Sequence, residues 1–117
     1  MNRTMPEPTH TLWPHDQPPT ERELNEALAA EGLDPHWWGN APGDRYGAHD
    51  HSYHKVLFCL AGSITFVVDP GGKRIELKAG DRLDLPPFTT HAAVVGPRGC
   101  RCVEGWRMSE ARTMQTR

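Results

Sequence analysis

Four of the seven histidines in this 117-residue chain lie in or beside a strand-like stretch: His49, His51 and His54 at its start, and His91 far along the chain. In an extended backbone, side chains two residues apart point to the same face, so the imidazoles of His49 and His51 converge on one point. A third nitrogen from a distant strand, for which His91 is the candidate, closes a facial set of three ligands. Positions then remain open for water or substrate, as a catalytic metal site requires. Imidazole accepts several divalent ions, so the pattern names Fe, Mn, Zn, Ni or Cu without choosing among them. A His-x-His beside a loop also serves as plain polar surface, and spacing alone does not separate the two readings.

The elements that must position these residues read mostly as strands. From Tyr46 onward the apolar period is two. Residues 55–60 form a strand, Ala61 and Gly62 make a tight turn, and Ile64, Phe66 and Val68 return beside Thr65 and Val67. The run Asp69-Pro70-Gly71-Gly72 turns the chain again. Ile75 and Leu77 alternate with charged neighbours, as a half-buried strand does, and Leu83 and Leu85 repeat the pattern. Beyond Pro86 and Pro87, residues 90–95 and 100–106 make a final strand pair joined by Gly96-Pro97-Arg98-Gly99. These seven or eight short strands predict an all-β fold, a small antiparallel barrel or sandwich.

One short helix precedes them. Thr20 and Glu23 form a capping box ahead of Leu24, Ala27 and Leu28, and Gly32 supplies a stop, so the helix covers 21–31. Residues 1–19 carry five of the eleven prolines and read as a disordered or extended arm that can pack on a partner subunit. Pro35, Gly39, Pro42 and Gly43 break regular structure around Trp37 and Trp38, which plug or cover an edge of the core. The expected organisation is an arm (1–19), a helix with its connection (20–45), a barrel (46–108) and a tail (109–117).

Composition narrows the function classes. At this length one domain rather than a two-domain enzyme is expected, and 37% hydrophobic with 24% charged residues suits a core of ordinary size. A net charge of -2 without a basic stripe argues against nucleic acid as a partner. No window approaches the ~18–20 apolar residues of a membrane span, so a soluble protein is expected. The opening residues lack the apolar run of a secretory leader, and Cys59, Cys100 and Cys102 form no disulfide framework, so a cytoplasmic location is expected. A glycine-rich phosphate loop, a Gly-x-Ser-x-Gly elbow and a two-Cys, two-His finger are absent from the sequence.

The segment His49-Asp50-His51-Ser52-Tyr53-His54-Lys55, with Gly62 beyond it, resembles the first motif of the cupin superfamily: His-x-His, three or four residues, Glu, six residues, Gly. The run from Gly80 through Pro86 and Phe88 to His91 is similar to the second: Gly, five residues, Pro, x, Gly, two residues, His, three residues, Asn. This resemblance, over residues 46–106, implies a double-stranded antiparallel β-helix, the jelly-roll barrel, with its histidines aimed inside and a homodimer as the common assembly. It also implies, if the protein is an enzyme, dioxygenase- or isomerase-type chemistry at a metal on a small polar or anionic molecule. The departures are Lys55 at the glutamate position, Phe88 at the glycine and Val95 at the final asparagine.

Parity puts Lys55 on the face of His49 and His51, which leaves three outcomes. Three neutral histidines hold the metal and Lys55 stays off it, favouring an anionic or chelating substrate. Alternatively, a bulge after Ser52 turns His54 inward as a fourth ligand. Or there is no metal, and Lys55 serves as base or nucleophile in a ligand-binding or sensing barrel, or pairs with an acid such as Glu104. Asp50 faces away from the site. Tyr46 and Tyr53 pack on the barrel wall or lend a phenol to the site, Arg82 and Asp84 sit on the outer face, and Cys59 is a buried filler. Arg45 and Arg107 read as solvated, with contact to an anionic substrate as the alternative, His10, His15 and His36 are ordinary polar residues, and Trp37 and Trp38 are candidate dimer anchors.

Overall fold

Residues 54–60 are buried on both faces of their strand, apart from the partly exposed ends, and a two-sided core follows from that run. A computed structural model describes residues 6–108; the predicted tail, 109–117, lies outside the described residues. In chain order the elements are β1 (Thr9–Thr11), α1 (Glu21–Ala30), β2 (His36–Asn40), β3 (Arg45–His49), β4 (His54–Val68), β5 (Lys73–Leu77), β6 (Arg82–Leu85) and β7 (His91–Arg107). All pairings are antiparallel: β4 pairs with β5, β6 and β7, β7 also with β2 and β3, and β1 with β6. The antiparallel all-β barrel with one short helix is as expected. Among the described residues, no helix is long and apolar enough to cross a membrane.

Leu57 and Cys59 face the barrel interior with Ile64, Phe66, Leu77, Leu83, Leu85 and Val95. Their neighbours Val56 and Phe58 face outward, where α1 lays Leu24 and Leu28 on them. The helix begins at the expected capping box: Thr20 Oγ1 accepts from the Glu23 N–H at 3.2 Å and the Glu23 carboxylate accepts from the Thr20 N–H at 2.9 Å. Its two leucines are fully buried, each contributing about 2 kcal/mol relative to exposure.

Two expected turns are bends. Ala61-Gly62 does not reverse the chain: β4 runs on to Val68, with register shifts between Cys59 and Ala61 and between Gly62 and Ile64. Gly96-Pro97-Arg98-Gly99 likewise lies inside one strand, β7. The two bends face each other. Gly62 and Gly99 both take positive φ, and a Cβ on Gly62 would lie 2.0 Å from the Gly99 carbonyl oxygen. Glycine thus lets two backbones touch while the ribbon folds over to close the barrel. The same residue types suit a tight turn, which is why the sequence reads as hairpins.

The described part of the arm is ordered on its own barrel, correcting the disordered alternative. β1 pairs with β6, His10 Nε2 lies 3.1 Å from Asp81 Oδ2, and the Trp13 N–H donates to Asp81 Oδ1 at 3.1 Å. Gly80, at φ 90°, leaves the space that the Trp13 ring fills. Trp37 and Trp38, expected in an irregular segment, lie in β2: Trp37 packs on the outer core and Trp38 on the inner one.

Candidate metal centre

His49 ends β3 and His91 begins β7, and the two are direct cross-strand partners. His51 follows in the loop after β3, where its carbonyl accepts the Phe88 N–H at 2.7 Å. The three rings converge: one ligand nitrogen from each lies within 4.8 Å of the others. His49 Nδ1 lies 2.6 Å from the Gly47 carbonyl and His91 Nδ1 lies 2.8 Å from the Thr89 carbonyl, so in both rings Nδ1 carries the proton and donates it. That tautomer leaves the Nε2 lone pairs for the space between the rings. His91 is 2% exposed and its Nε2 is buried with no hydrogen-bond partner. Leaving such an acceptor unmade costs about 1–3 kcal/mol, which a divalent cation would offset.

The electrostatics favour the neutral form of His51 and His91, as ligation requires. Burial pushes His51 down to about 4, with the Lys55 charge and the other two imidazoles acting in the same direction. Burial also lowers His91, more than its bond to Thr89 raises it. Phe88, at the glycine position of the second motif, takes φ 61° with its side chain exposed. The left-handed backbone explains why the motif has glycine there.

Lys55 does face the histidines. Its Nζ lies 3.4 Å from His51 Nε2 and 3.5 Å from Glu104 Oε1, and the residue is 8% exposed. Glu104 is clamped by two indoles: Trp38 Nε1 donates to Oε1 at 2.9 Å and Trp106 Nε1 to Oε2 at 2.6 Å. The three histidines, Lys55, Glu104 and Trp38 line a cavity of about 290 Å³ whose apolar side is Leu57, Ile64, Phe66 and Ala93, with Tyr46 and Tyr53 on its walls. The Tyr53 ring stacks on His51 at 4.9 Å and meets Trp106 at 5.4 Å.

Other candidates lie elsewhere. His54 is on the outer face, its Nε2 2.8 Å from Asp84 Oδ2, and no bulge after Ser52 turns it inward. Asp50 is exposed, Arg107 bonds Glu31, and Arg45 lines a separate groove with Arg74. Cys59 is buried and free, with Cys100 and Cys102. His36 stacks on Trp106 at 4.2 Å. Sequence reading missed the Glu104 clamp. The available signal was the parity shared by Cys102, Glu104 and Trp106, which puts an acid on an inward-facing row.

The family described as Cupin domain matches residues 34–103. No curated protein sequence matches the chain. Among solved structures, a Cupin 2 conserved barrel domain protein from Salinispora arenicola is 27% identical, covering 73% of this chain and 72% of that one, with a TM-score of 0.56. An RmlC-like cupin from Shewanella frigidimarina is 25% identical over 69% of this chain and 70% of its own, with a TM-score of 0.57. The DMSP lyase DddQ from Ruegeria pomeroyi is 27% identical with a TM-score of 0.59, covering 64% of this chain and 38% of its own.

Proposed function

The chain belongs to the cupin family, and on that premise we propose that it holds one divalent metal through His49, His51 and His91 and acts on a small polar or anionic molecule. The observation that carries this reading is His91 Nε2, a buried lone pair without a donor, aimed at two more imidazoles. Held by these three histidines, a divalent metal would supply Lewis acidity or oxygen activation, the chemistry of isomerase- and dioxygenase-type reactions. The chain's own residues do the rest. The Gly47 and Thr89 carbonyls fix two of the rings, Leu57, Ile64 and Phe66 exclude water from one side, and Lys55 presents a cation to an incoming anion. An enzymatic role is supported by the likeness to a protein named as a lyase. A homodimer, common among cupin barrels, and a reducing compartment suited to three free thiols complete the proposal.

Metal analysis of protein made without a histidine tag tests it. One metal per chain in the parent and little in His91→Ala supports the reading; none in the parent, or an undiminished amount in the variant, defeats it.

A second reading is favoured by the contacts of Lys55 with His51 and Glu104: a metal-free barrel that binds or senses a small ligand. Treatment with a chelator separates the two, because it lowers the melting temperature of a metal-bound barrel and leaves a metal-free one unmoved.

A further inference from the structure

An ammonium carries three N–H donors, and in the cavity Lys55 has one hydrogen-bond acceptor, His51 Nε2 at 3.4 Å, and one ion-pair partner, Glu104 Oε1 at 3.5 Å. Glu104 shares its charge with the two indole N–H groups that hold it. His51 serves Lys55 only while its Nε2 lone pair is free, and on the reading proposed above that lone pair goes to the metal. Loading the site therefore does two things to a lysine that is 8% exposed. It removes an acceptor, and it brings a dication beside the ammonium. The neighbouring floor of Leu57, Ile64 and Phe66 offers neither acceptor nor countercharge.

One kind of ligand meets both demands. A carboxylate has two oxygens on one carbon, so one oxygen reaches the metal while the other accepts from Lys55, and its negative charge lies between the two cations. The apolar floor suits an organic remainder rather than a bare inorganic oxyanion. We infer that the cavity takes a small organic carboxylate bridging the bound metal and Lys55, and that metal and carboxylate bind synergistically. The inference rests on the three-histidine reading and adds the substrate class to it. It also gives the lysine at the motif's glutamate position a role: the negative charge absent from the chain at residue 55 arrives with the ligand. Lys55 is then a specificity-determining residue.

The test measures zinc affinity by competition with a chromophoric chelator, with and without benzoate. It compares the parent with Lys55→Met and with the double variant Lys55→Met/Glu104→Gln, whose neutral pair avoids stranding a buried carboxylate. Benzoate is expected to tighten zinc about tenfold or more in the parent and less than about twofold in either variant. Equal tightening in parent and double variant, no tightening in the parent, or the same effect from sulfate overturns the inference while leaving the metal reading intact. Absence of zinc binding in the parent under both conditions defeats the metal reading, and this inference with it.

Discussion

His54 and Lys55 are neighbours in the chain, yet they point to opposite faces of β4 and into two charged clusters that differ in completeness. On the outer face Arg82 donates to Asp84 through Nε at 2.6 Å and Nη2 at 3.1 Å and also bonds Glu31. Arg107 bonds Glu31 at 2.8 Å and His54 lies 2.8 Å from Asp84, so each charged side chain of that cluster has an opposite partner. On the inner face His91 Nε2 has none, and Lys55 makes only the contacts at 3.4 and 3.5 Å. A polar group that serves the scaffold is satisfied by the fold itself. One left short of partners inside a cavity can be satisfied by what binds there, and that difference marks the inner cluster as the candidate site.

Substitutions can break the comparison in a graded way. The largest effect is expected from His91→Ala, which should weaken zinc by at least about a hundredfold, about 2.7 kcal/mol, in a chelator competition assay. The counterpart outside, Arg82→Met, should leave zinc affinity unchanged while lowering stability in urea by about 2 kcal/mol, because Asp84 and Glu31 lose their shared partner. An Arg82 variant that loses zinc, or a His91 variant that keeps it, erases the distinction between the clusters. Smaller again is Phe88→Gly. It relieves a left-handed backbone at φ 61° and removes an exposed ring, and should raise stability by about 1 kcal/mol in the same denaturation.

The smallest effect is in the acid limb of the stability curve. The hydrogen bond from Arg82 holds Glu31 below its ordinary 4.5. Burial pushes Asp84 up, but Arg82 and His54 together bring it below its ordinary 3.8. As pH falls, the unfolded chain protonates these groups first, so their stabilisation is complete above about pH 4.5 and is lost below it. Melting temperatures of metal-free protein between about pH 5 and pH 3 should therefore fall less steeply in Arg82→Met than in the parent. Parallel slopes would remove the outer network from the account.

Period-two alternation made the strands legible, and Thr20 with Glu23 made the helix start legible, because both signals are local. Bend against turn at Ala61-Gly62 and at Gly96–Gly99 was not legible. Glycine at positive φ serves both, and the choice is made by the distant strand against which each lies. The unbroken apolar run at residues 56–60 hid a second core, since the sequence does not say that α1 covers Val56 and Phe58 from outside. The three histidines and the inward face of Lys55 followed from parity and motif. The two-indole clamp on Glu104 did not, because it joins β2 to β7 through tertiary packing. Phe88 shows the reverse case, where the motif position foretold a backbone conformation that its own residue type does not.

Anomalous diffraction collected at several metal edges from one crystal of tag-free protein reports occupancy, identity and ligands together. The account predicts a single strong peak per chain within ligand distance, about 2.0–2.2 Å, of Nε2 of His49, His51 and His91. No peak at those rings after soaking with zinc, with the Lys55 amine still in contact with His51, would contradict it.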